Sequence, residues 1–104
     1  MIELNKDNFE EEVLQREGLI VVDFWSPSCV PCQDLLPKVE ELAKETEAVP
    51  FGSVDVSKAR RLAISQKIMS IPSVVFYKDG VQEKTFVGGD ATIENIKSAL
   101  NELI

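Results

Sequence analysis

A chain of 104 residues has room for one core that buries about two-thirds of the unfolded surface, so a single domain over residues 1–104 is expected. A content of 44% hydrophobic and 28% charged residues, with five Gly and five Pro, excludes disordered and fibrous architectures. Eleven Lys plus Arg against 18 Asp plus Glu give a net charge of -7, the wrong sign for tracking nucleic acid or an anionic membrane, so neither is an expected partner.

The first residues, Met1 to Glu17, carry six acidic side chains against Lys6 and Arg16 and have no apolar centre, unlike a signal peptide. With no apolar run near the roughly 20 residues that cross a bilayer, a cytoplasmic location is expected. Ile2-Glu3-Leu4 reads as a short strand, and Asp7 with Glu10 as the capping box of a helix to about Arg16, stopped by Gly18.

Leu19 to Trp25 is β-rich and almost continuously apolar, the pattern of a strand buried on both faces, which makes Asp23 within it conspicuous. From about Cys32 to Glu47, Leu35, Leu36, Val39, Leu42 and Ala43 fall at helical spacing around Pro37. Val49 to Val56 reads as a strand and Ser57 to Gln66 as a short helix. Ser73 to Lys78 and Val81 to Val87 read as antiparallel strands joined by Asp79-Gly80. After Gly88-Gly89 a last helix carries Ile93, Ile96, Leu100, Leu103 and Ile104 on one face, capped by Asp90 or Thr92. Strands and helices alternating before a hairpin imply an α/β fold, a central mixed sheet with helices on both faces.

The absence of histidine excludes Ser-His-Asp and Cys-His catalysis and imidazole zinc sites, and two cysteines cannot fill a four-thiolate metal site within one chain; no metal is expected. Both cysteines fall in Cys29-Val30-Pro31-Cys32, where the buried strand hands over to the long helix. Two randomly placed cysteines would have this spacing in roughly 2% of cases. Residues three apart at a helix start share a face and are close enough to close a small disulfide ring, and unpaired N–H groups there stabilise a thiolate, the attacking form of the thiol. The same spacing also suits two core cysteines, a static staple or half of a metal site completed by a second copy.

Val22-Asp23-Phe24-Trp25-Ser26-Pro27-Ser28-Cys29-Val30-Pro31-Cys32, with Ile71-Pro72 before a strand and Val87-Gly88 before the last helix, resembles the thioredoxin family over essentially the whole chain. The resemblance implies the thioredoxin fold and a protein-disulfide reductase that works through a reversible Cys29–Cys32 disulfide without a bound cofactor. It implies Cys29 as nucleophile, Cys32 as resolving thiol and Asp23 as the proton-transfer group; a carboxyl in an apolar strand should have raised proton affinity. It implies a cis bond before Pro72, with Trp25, Val30, Pro31, Ile71, Pro72 and Gly88 forming the docking surface. The implied partners are a thioredoxin reductase and client protein disulfides, met by a monomer. A plain core tryptophan, a trans proline and an acid that merely bonds the backbone are the competing readings of Trp25, Pro72 and Asp23.

The pattern departs from the family at Ser28, where a second tryptophan is usual, at Val30 in place of glycine, at Gln33 in place of a cation, and at Ser53, where a lysine normally faces the buried acid. With two positive charges missing, Asp23 and the thiolate are expected to titrate higher than in most of the family. Two functions compete with the reducing carrier: an oxidase or isomerase of secreted proteins, and a binding module with no redox role. No charge lies between Asp23 and Asp34 or between Lys67 and Lys78, which predicts a neutral docking face. Lys58, Arg60, Arg61 and Lys67 lie beside it in a stretch without acids, suited to steering an acidic partner such as a reductase, or simply to a solvated helix face.

Overall fold

The apolar run Leu19–Trp25 becomes the central strand (β2) in a computed structural model that describes residues 1–104. It pairs in parallel with Phe51–Asp55 (β3) and antiparallel with Ser73–Lys78 (β4). Ile2–Leu4 (β1) adds to β3 in parallel, and Val81–Val87 (β5) pairs antiparallel with β4, giving the order β1-β3-β2-β4-β5. The sheet is mixed, as expected. Both predicted hairpin strands have the predicted limits, and Asp79 and Gly80 turn the chain at φ 51° and 81°. A side chain on Gly80 would collide with the Leu14 carbonyl oxygen, so glycine is needed there twice over.

Three helices accompany the sheet: Val30–Glu45 (α1), Arg60–Ser65 (α2) and Ile93–Leu103 (α3). Val21, Phe51, Val74 and Phe76 of one sheet face pack with Leu35 and Val39 of α1 and Ile96 and Leu100 of α3. Phe24, Val54, Val75 and Tyr77 of the other face pack with Phe9, Val13 and Ala63. Each of these large apolar side chains contributes about 1.5–3 kcal/mol on burial, which holds the sheet rigid between its covering layers. None of the helices is long and apolar enough to cross a membrane.

Element ends differ from the sequence reading for local reasons. The Asp7 capping box does not form. Asn5 turns the chain instead, its side chain accepting from the N–H groups of Asp7 (2.8 Å) and Asn8 (3.1 Å), and Glu10–Leu14 is a wide π-helical turn. Pro50 has no N–H for the sheet, and β3 starts after it. Asp55 accepts from the N–H and hydroxyl of Ser57, at 3.0 and 2.6 Å, and this turn delays α2 to Arg60. At α3 it is Thr92 that caps, accepting from the Asn95 N–H at 3.1 Å.

Candidate active site at the start of the long helix

Cys29 is extended, at φ -92° and ψ 108°, and is itself the N-cap of α1, which therefore begins two residues earlier than the hydrophobic spacing indicated. Its Sγ accepts from the backbone N–H of Cys32 at 3.3 Å. Cys29 and Cys32 are joined as a disulfide with their Cα atoms 5.2 Å apart. The preceding loop is tied to itself: the Cys29 N–H donates to the Ser26 carbonyl at 3.2 Å, the hydroxyls of Ser26 and Ser28 meet at 2.9 Å, and the Gln33 side-chain amide donates to the Pro27 carbonyl. The two sulfurs differ in access, since Cys29 is half-buried and Cys32 is only 1% exposed.

Asp23 is 1% exposed, and neither carboxyl oxygen has a hydrogen-bond partner. Burial, and secondarily the negative charge of Glu40, pushes its pKa up to about 7. Its side chain leaves the same sheet face as that of Val21, two residues earlier, and that face is the one α1 covers. Cys32 lies on the buried side of α1 with Leu35 and Val39. The acid and the inner cysteine thus share one layer.

Strand register gathers the other predicted residues. Phe24 of β2 pairs with Ser73 of β4, which pairs with Val87 of β5, so Trp25, the cis Ile71-Pro72 bond and Gly88 all fall at one end of the sheet. The Gly88 N–H donates to the Pro72 carbonyl at 2.8 Å. Ile71 is half-buried, and its own backbone N–H and C=O make no hydrogen bond within the chain. Val30 and Pro31 are exposed at the helix start. Trp25 is half-buried at the end of β2 with its indole N–H unpaired.

A groove of about 320 Å³ runs from Ser26 and Ser28 to Ile71, walled by Val56, Ile64 and Met69 with Arg60 at its side. Ile64 and Met69 are 60% and 88% exposed. The sequence reading did not single them out; for Met69 the available signal was an apolar residue inside the uncharged stretch before Pro72, and Ile64 carried none.

Residues 1–102 match the family model described as Thioredoxin. The thioredoxin of Acetoanaerobium sticklandii is 44% identical with all of both chains covered. That of Peptoclostridium acidaminophilum is 46% identical over 96% of this chain and 92% of the relative. The crystal structure of Fasciola hepatica thioredoxin superimposes with a TM-score of 0.91 at 34% identity, covering both chains in full. The chain belongs to the thioredoxin family, the protein-disulfide oxidoreductases that carry electrons on a redox-active cysteine pair between a reductase and the disulfides of client proteins.

Proposed function

We propose that this domain works in the reducing direction, with Cys29 as nucleophile and Cys32 as resolving thiol. The observation that carries the assignment is the difference between the two sulfurs: the N-cap sulfur is accessible and accepts a backbone N–H, whereas the inner one is buried. The Cys29 thiolate attacks one sulfur of a client disulfide; that S–S bond breaks, and the client's other sulfur leaves as a thiolate. Cys32 gives its proton to the Asp23 carboxylate and attacks the Cys29 sulfur, releasing the client's second thiolate and closing the Cys29–Cys32 disulfide. Two electrons have then passed to the client, and a thioredoxin reductase restores the dithiol.

Asp23 suits the proton step because its pKa of about 7 allows it to exchange a proton near neutral pH. Trp25, Val30, Pro31, Ile71, Pro72 and Gly88 form the docking surface, where the unpaired backbone of Ile71 offers a client strand one donor and one acceptor. The protein acts as a monomer in the cytoplasm and requires no bound cofactor. Insulin-disulfide reduction by dithiothreitol tests the reading: the intact protein accelerates it, and Cys29→Ser and Cys32→Ser do not. An intact protein without activity, or a Cys29→Ser variant with full activity, refutes it.

A further inference from the structure

Glu3, Ser53 and Asp23 stand in a row across three strands, Glu3 opposite Ser53 and Ser53 opposite Asp23. Both pairings are parallel, so the three side chains leave the sheet on one face, the face covered by α1. A cleft of about 680 Å³ opens at the edge of that face, with Ser53 and Glu3 on its sheet wall and Leu36 and Glu40 of α1 opposite. Asp23 lies one strand behind Ser53, buried and with both oxygens unpaired. A buried polar group without a protein partner, next to an open polar cleft, is placed to exchange protons with solvent through that cleft.

The residues with titratable groups on the cleft are Met1, by its terminal amine, Glu3, Lys6, Asp7, Glu40, Asp55 and Lys58. On its other side Asp23 faces Val74 of β4, which carries no ionisable group. Among the cleft groups, the charge that acts on Asp23 is that of Glu40. Glu40 is exposed to water.

We propose that Glu40 is the carboxylate through which Asp23 exchanges its proton with solvent, by way of the Ser53 hydroxyl and the water of the cleft. The proposal rests on the reading that Asp23 takes the proton of Cys32. The Cys32 S–H bond breaks as the proton joins the Asp23 carboxylate. Asp23, whose oxygens bond no protein group, then passes a proton through a bridging water to the Ser53 oxygen while the hydroxyl releases its own through cleft water towards the Glu40 carboxylate, which gives it to bulk water. No electrons move along this path, and Asp23, Ser53 and Glu40 all return to their starting forms. Glu40 is a positioning residue, since it acts on the sulfurs only through Asp23.

The experiment mixes the reduced full-length protein with oxidised glutathione. Closure of the Cys29–Cys32 disulfide is followed by Trp25 fluorescence across pH, for the intact protein, Glu40→Gln, Glu40→Asp, Ser53→Ala and Asp23→Asn. Loss of the Glu40 charge favours the Asp23 carboxylate, so the midpoint assigned to Asp23 moves to lower pH in Glu40→Gln. Below the midpoint, where Asp23 must first release its own proton to solvent before it can take that of Cys32, closure slows about tenfold or more, as on loss of a proton-transfer group. Formate, a carboxylate small enough to enter the cleft, restores the rate, and Glu40→Asp keeps it. Ser53→Ala slows closure without moving the midpoint as far. If Glu40→Gln keeps the midpoint and rate of the intact protein while Asp23→Asn changes both, the relay is wrong and the role of Asp23 stands. If Asp23→Asn changes neither, the role of Asp23 fails as well. A slowed Glu40→Gln that formate leaves slow also overturns the relay.

Discussion

The backbone N–H of Cys32 donates to the sulfur of Cys29 across 3.3 Å, and that contact is the first capping interaction of α1. The residue that caps the helix is therefore also the accessible cysteine. A helix start favours negative charge on the group that caps it, and Cys32, 1% exposed, is shielded from reagents. Limiting iodoacetamide at neutral pH is expected to alkylate Cys29 before Cys32, as mapped by peptide mass. Equal labelling of both sulfurs would contradict the assignment of nucleophile and resolving thiol.

Asp23 sets a pH dependence on stability. Its pKa is 3.8 before folding and about 7 in the folded, oxidised protein, raised by burial first and by Glu40 second. The folded form thus binds the extra proton between these values, and stability falls as pH rises from about 4 to about 7. Below the unfolded value both states are protonated and the residue carries no penalty. A shift of about three units corresponds to about 4 kcal/mol. Asp23→Asn, uncharged at every pH, should match the parent's stability below pH 4 and exceed it by up to about 4 kcal/mol above pH 8, as read by urea unfolding. A variant no more stable than the parent at high pH would show that the carboxylate is solvated or paired in the fold.

How far the molecule could be read in advance depended on whether a signal was local. Strands β2, β4 and β5 were legible because apolar runs and the Asp79-Gly80 turn act over neighbouring residues. The long helix was legible from its apolar spacing, but not its start, because Val30 and Pro31 are exposed and add nothing to the apolar stripe. The first turn was misread since Asn5, rather than Asp7, satisfies the local N–H groups, a choice between two good capping residues that spacing does not make. The cysteines, Asp23, Pro72 and Gly88 carried motif signals. Glu40 carried none: its relation to Asp23 exists only because α1 lies over the β2–β3 pair. Ile64 and Met69 likewise join the groove only through the packing of α2 beside Ile71.

Lys58, Arg60, Arg61 and Lys67 enter no salt bridge, the two present being Arg16–Glu12 and Lys84–Glu102. Their charge is free to act on an approaching protein, and Arg60 lines the groove that reaches Ser28, the residue before Cys29. If the patch steers an acidic reductase, Arg60→Glu with Arg61→Glu should slow association about tenfold at low ionic strength and flatten its salt dependence. Reaction with dithiothreitol, which is uncharged, should not change. An unchanged rate and salt profile with the reductase would leave these cations as a solvated helix face.

Met69 tests the docking surface apart from the chemistry. Its side chain is 88% exposed at the rim of the groove, on the segment leading to Ile71. Burying a methionine side chain against a client is worth about 1.5–3 kcal/mol, so Met69→Glu, which removes that burial and places a charge on a neutral face, should raise KM for a protein disulfide about tenfold or more. Because the thiols are untouched, kcat should hold, as should the rate with a small disulfide such as oxidised glutathione. A proportional loss with both substrates would mean that the substitution disturbs the redox site itself. An unchanged KM for insulin would remove Met69 from the docking surface and leave recognition to Val30, Ile71 and the backbone beside Pro72.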